Sequence, residues 1–140
     1  MRIYVVGSLR NPEVQTVAAA LRGAGHFVFD DWQAVGPDAD EYWMAYEKAR
    51  GRTYIEALHG EAARNTFEFD LRHLQEAEAI VMVMPCGKSG WMETGWAAGQ
   101  GKGTYALVEE DPERWDVMLR FVDHVVSSIE ELINEMPMQA

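Results

Sequence analysis

Cysteine is all but absent. Cys86 stands alone in 140 residues, so no intrachain disulfide can form. Basic residues are scarce as well, with 12 Lys and Arg against 23 Asp and Glu and a formal net charge of -11. A chain this acidic repels phosphate backbones at long range, and no Lys/Arg stripe offsets that, which argues against polymeric nucleic acid as a partner. No apolar run reaches the ~18–20 residues needed to cross a bilayer, so no membrane partner is expected. The opening Ile3-Tyr4-Val5-Val6 lacks the charge, apolar run and cleavage site of a secretory leader, and the expected location is the cytoplasm. Metal-ligand spacing is missing too. His26, His59, His73 and His124 keep none with one another or with Cys86, and neither a metal nor another cofactor is expected.

What is present is the composition of one globular domain. Hydrophobic residues make up 48% and charged residues 25%, and 140 residues suit a single core spanning 1–140. Residues 2–7 read as an apolar, β-branched first strand ending at Gly7. Over 12–23 a helical stripe of Val14, Val17, Ala18 and Leu21 follows Asn11 as N-cap and Pro12, with Gly23 and Gly25 closing it. Phe27–Phe29 is a short second strand. Asp40 can cap a helix containing Trp43, Met44 and Tyr46, interrupted at Gly51, and a second helix over 53–77 has a break near Gly60. Residues 79–84 form a fully apolar third strand ended by Pro85. A helix over 91–100, a fourth strand over 103–108 and a fifth over 122–126 follow, then a helix capped by Ser127 or Ser128 with Ile129, Leu132 and Ile133 on one side.

This alternation predicts an α/β fold: one doubly wound, flavodoxin- or Rossmann-like parallel sheet of five strands with helices on both faces. Ligands of such sheets bind beyond the carboxyl ends of the strands, near the reversal of strand order. The segments to inspect are therefore 7–10, 30–32, 85–93 and 109–114. In the first of them, Ser8 and Arg10 offer a hydroxyl and a bidentate fork suited to phosphate or carboxylate. In the third, Gly87 and Gly90 allow a ligand near the backbone, and Glu93 falls in the first turn of the next helix, where a glutamate can simply complement the helix dipole. Asp70 lies within the apolar stripe Phe67, Leu71, Leu74, Ala77; an inward carboxylate needs a partner such as Arg72, or a function. Gly87-Lys88-Ser89 is not a phosphate loop, because Met82 sits where the leading glycine belongs. The aromatics Trp32, Tyr42, Trp43, Tyr46 and Tyr54 suit either base stacking or ordinary packing.

Taken in order, these segments resemble the nucleoside 2-deoxyribosyltransferase superfamily over most of the chain. The resemblance is carried by Tyr4-Val5-Val6-Gly7-Ser8, by Asp70-Leu71-Arg72-His73-Leu74 before the third strand, and by Ser89-Gly90-Trp91-Met92-Glu93-Thr94-Gly95-Trp96-Ala97. The last looks like the family's Gly-x-x-x-Glu-x-Gly-x-Ala signature, with Ser89 in place of the usual first glycine and Trp96 bulkier than usual. The resemblance implies that Glu93 attacks C1′ of the sugar, that Asp70 positions the substrate and assists protonation of the leaving base, and that Tyr4 orients Glu93. Gly7-Ser8-Leu9-Arg10 is most similar to the nucleoside 5′-monophosphate N-glycosidase branch, which implies a substrate-binding set of Gly7, Ser8, Arg10, Ser89 and Gly90 around a 5′-phosphate. Residues 38–65 look like an insertion relative to compact members.

The implied activity is cleavage of a nucleoside or deoxynucleoside 5′-monophosphate through a glycosyl-Glu intermediate, without a cofactor. Base exchange between deoxynucleosides, a non-catalytic nucleotide-binding module and an NAD-type glycohydrolase are the alternatives. The family also implies a homodimer or larger homo-oligomer, with which exposed aromatics and the Met-rich end (Met136, Met138) are compatible. Short phage-encoded members have the same look, which suits a phage or bacterial origin.

Overall fold

The computed structural model describes residues 1–137, so Met138 lies outside the described residues. The chain runs β1 (Arg2–Val6), α1 (Glu13–Gly23), β2 (Phe27–Phe29), a 3-10 turn (Asp31–Val35), α2 (Ala39–Ala49), α3 (Tyr54–Leu58) and α4 (Glu61–Glu76). It continues through β3 (Ala79–Val83), α5 (Lys88–Gly99), β4 (Gly103–Leu107), a second 3-10 turn (Val117–Phe121), β5 (His124–Val126) and α6 (Ile129–Glu135). The strands form one five-stranded parallel sheet in the order β2-β1-β3-β4-β5. Strand order reverses between β1 and β3, where Tyr4 pairs in register with Ile80 and Val6 with Met82. The doubly wound expectation is met.

Both sheet faces are covered, which is why β3 is apolar throughout and buried at every residue. On one face Ile3, Val5, Val81 and Val83 pack against Val14, Val17 and Leu21 of α1 and Leu132 of α6. On the other, Tyr4, Val6, Ile80 and Met82 pack against Leu74 of α4 and Ala97 of α5. The period of two along β1 thus sends Tyr4 toward α4 and α5, away from α1.

Several boundaries differ from expectation for identifiable reasons. α1 begins at Glu13, one residue later than expected, so Pro12 and not Asn11 stands at the N-cap; Asn11 Oδ1 still accepts from Glu13 N–H at 3.0 Å. In α2, Asp40 is inside the first turn, because the helix already begins at Ala39. Gly51, at φ 71°, ends it with the left-handed residue that a helix C-terminus favours. A reciprocal capping box between Thr53 and Glu56 then starts α3, so the expected 53–77 helix is split into α3 and α4 around Gly60. Phe67 was expected on the inward stripe of α4 and is instead 64% exposed, whereas Leu71 is half-buried and Leu74 and Ala77 are buried. The fifth strand begins at His124 and not at 122, because 122–123 form a bend in which Asp123 N–H donates to the Thr104 hydroxyl at 2.8 Å.

Candidate active site

Tyr4 reaches the site from the middle of β1. Its ring is buried against Phe29 of β2, with centroids 5.1 Å apart. The hydroxyl lies close enough to the Glu93 carboxylate for each to shift the other's titration. Burial, and after it the Glu93 charge, push the Tyr4 pKa far above its ordinary value. Tyr4 is therefore a neutral donor at any physiological pH.

Glu93 comes from α5, whose start corrects the sequence reading. The helix begins at Lys88 rather than at Trp91, because Gly87 is extended and serves as N-cap. Glu93 consequently sits in the second turn, beyond the free amides, and complementing the helix dipole no longer accounts for it. Gly90 explains how α5 comes so close to the sheet. A Cβ built there would lie 2.0 Å from Cys86 Sγ and 3.5 Å from Val6. Thr94 Oγ1 donates to Gly90 O at 2.7 Å and is buried beside it. Glu93 itself is half-buried, and its pKa rises to about 7. Burial is the main cause; the Tyr4 hydroxyl opposes it and the charge of Asp70 adds to it.

Asp70 is half-buried in the middle of α4. Burial raises its pKa, and the neighbouring His73 works against that rise. Arg72 is not its partner. That guanidinium lies 5.6 Å from the Phe69 ring centroid, and among the described residues Asp70 forms no ion pair. The field of Asp70 acts on both Tyr4 and Glu93. Three groups from β1, α4 and α5 thus form one electrostatic unit: a neutral phenol, a carboxyl whose pKa is about 7 and a second carboxyl whose pKa burial raises.

The loops after β1 and β3 close one side of this unit. Gly7 has no room for a side chain, since a Cβ there would lie 2.6 Å from Val14 Cγ2 and 3.1 Å from the Val83 carbonyl. Ser8 N–H donates to Pro85 O at 3.2 Å, which joins the two loops, and Ser8 Oγ accepts from Arg10 N–H at 3.2 Å. Ser89 and Gly90 lie in the first turn of α5, Ser89 exposed and Gly90 buried. Arg10 extends away toward α2, where it pairs with Asp38 and Glu41. A broad depression of about 840 Å³ opens beside Arg10, Gln15, Arg22 and Gln33, and neither Tyr4, Asp70 nor Glu93 lines it. Of the two arginines lining it, Arg22 is bound to the buried Asp30 at 2.8 Å and Arg10 to Asp38 and Glu41. The chemistry therefore points to the carboxylate unit and not to this hollow.

Sequence reasoning missed several members of the surroundings. His73 stacks on Phe29 at 3.9 Å, and Phe29 in turn packs on Tyr4. The i, i+3 spacing of Asp70 and His73 was a usable signal; the Phe29 contact was not. Cys86 is the side chain against which Gly90 fits. The aromatic cluster does not form one surface. Trp32 packs into the core and donates from Nε1 to Val5 O at 2.7 Å, whereas Tyr42, Tyr46 and Tyr54 are exposed. No group of three or more His, Cys, Asp or Glu is placed to hold a metal among the described residues, and no helix there is long and apolar enough to cross a membrane.

No protein-family model matches the sequence, and no curated protein matches it. The fold does have a solved counterpart. A 2-deoxyribosyltransferase from the psychrotolerant bacterium Bacillus psychrosaccharolyticus matches with a TM-score of 0.65 and 16% identity, over 97% of this chain and 93% of that one. At that identity the likeness establishes a shared architecture.

Proposed function

We propose that this chain cleaves the N-glycosidic bond of a nucleoside or deoxynucleoside 5′-monophosphate, with Glu93 as nucleophile. The observation that carries the reading is the convergence of Tyr4, Asp70 and Glu93 near the reversal of strand order, with Tyr4 and Glu93 shifting each other and the charge of Asp70 acting on both. In the first step a Glu93 oxygen bonds to C1′ as the C1′–N bond breaks. The electron pair leaves with the base, which takes up a proton from solvent as the bond breaks, with Asp70 positioning the substrate and assisting that transfer. Water then attacks C1′, the C1′–O bond to Glu93 breaks with its electron pair leaving on the carboxylate, and the surplus water proton passes to solvent with Asp70 assisting. Tyr4 keeps the nucleophilic oxygen oriented and favours its ionised form. Gly7, Ser8, Arg10, Ser89 and Gly90 would receive the 5′-phosphate, with the first turn of α5 offering backbone N–H groups.

The test is incubation of the protein with a pool of nucleoside monophosphates, with mass-spectrometric detection of free base. Release by wild type and none by Glu93→Ala is expected, together with a sugar-phosphate adduct on the intact wild-type protein. Base release by Glu93→Ala at the wild-type rate refutes the assignment. A second reading, base exchange between deoxynucleosides, is favoured by the solved 2-deoxyribosyltransferase of the same fold. Turnover only after an acceptor base is added would select it.

A further inference from the structure

In the loop after β1, Arg10 donates from one nitrogen, Nη2, to Asp38 Oδ1 at 2.9 Å and to Glu41 Oε1 at 3.1 Å. The three side chains are exposed by 58%, 52% and 58%. Ion pairs so exposed contribute little to folding, yet these two join segments 28 and 31 residues apart. They attach the β1 loop to the start of α2, a helix whose only buried residue is Glu47.

We propose that Asp38 and Glu41 compete with the substrate's phosphate for Arg10, and so set the preference between monophosphates and uncharged nucleosides. The proposal rests on the phosphate-bearing substrate named above and adds residues that control it. Each carboxylate touches Arg10 through one oxygen, and both use the same nitrogen. Neither has the two-pronged geometry in which a guanidinium binds most strongly. A phosphate can take that geometry, with three acceptor oxygens available. One cation facing two anions also leaves this corner with a net negative charge. An incoming dianion is repelled until it displaces the carboxylates, and an uncharged nucleoside meets no such barrier. The pair therefore discriminates against weakly held anions while leaving Arg10 available to a phosphate anchored by the rest of the substrate.

The test compares wild type with the isosteric surface variant Asp38→Asn/Glu41→Gln. For monophosphates KM should fall by about fivefold per carboxylate removed, with kcat unchanged and KM for uncharged nucleosides unchanged. Inorganic phosphate, titrated by calorimetry, reads the exchange without turnover and should bind more tightly to the variant. Adding Arg10→Ala to the variant should erase that gain. Unaltered or weaker phosphate binding overturns the proposal, and so does a gain that survives Arg10→Ala, because general charge removal then explains it. If wild type turns over no monophosphate while the Arg10-dependent gain in phosphate binding is present, the substrate reading fails and the competition stands.

Discussion

Tyr4 on β1 and Glu93 on α5 approach each other across the sheet–helix boundary, and each displaces the other's titration. The phenol hydroxyl offsets part of the desolvation that brings Glu93 to a pKa of about 7. The Tyr4→Phe variant removes that offset. If Glu93 is the nucleophile as proposed, the acidic limb of kcat/KM reports its ionisation in the free protein and should move up by roughly half to one pH unit. A profile unchanged within error would mean that Tyr4 does not act on the nucleophile.

Glu93 also has a stability signature. Its folded pKa of about 7 exceeds the ordinary 4.5, so the folded state holds more protons between those values. Stability is therefore lost as pH rises through this window, and the loss is complete above the folded pKa. Glu93→Gln cannot ionise and escapes it. At pH 8 the variant should be more stable than wild type by up to about 3 kcal/mol, with the gap closing below pH 4. Urea unfolding at both pH values measures this, and equal stability at pH 8 would contradict a desolvated carboxylate.

Gly90 tests how α5 is seated. An alanine Cβ would collide with Cys86 Sγ but only touch Val6. Gly90→Ala should destabilise by about 1–3 kcal/mol, and Cys86→Ala in the same chain should recover most of that. Additive losses in the double variant would show that the backbone, not the thiol, sets the spacing.

The buried Glu47 of α2 receives both its contacts from Arg52 Nη1, at 3.2 and 3.0 Å, and its side chain is 4% exposed. Arg52→Ala leaves that carboxylate buried without its partner. Because Arg52 itself is partly in water, a cost of about 1–3 kcal/mol is expected, less than for a fully buried pair. Arg10→Ala, which breaks only exposed pairs, should cost under about 1 kcal/mol. Thermal unfolding of the two variants ranks them, and a reversed order would refute the role given to Glu47.

Much of the site's address was legible from local patterns. The β-branched 2–6 segment, the uninterrupted apolar run after Glu78 and the bonds from helix-start amides to Asn11 and Ser128 are consequences of short-range sterics and hydrogen bonding. They specify alternating strands and helices, and such a chain winds into a parallel sheet with its ligands at the carboxyl ends. Asp70 within an inward stripe and Glu93 behind a glycine-bracketed loop were likewise visible as residue types out of place, and Tyr4 was marked by the family resemblance.

Only the tertiary structure decided what those residues experience. The strand order 2-1-3-4-5 sets Tyr4 on the face shared by α4 and α5. Desolvation and the field of a neighbouring carboxylate depend on distances between segments tens of residues apart, which no local window contains. The same holds for Arg10, read as a free fork in the sequence and found engaged by Asp38 and Glu41. It also holds for Phe67, whose helical spacing matched the core stripe but whose side chain is left exposed. Periodicity determines which side of an element is apolar; packing decides how far that side is covered, and with it the charge state of every carboxyl placed there.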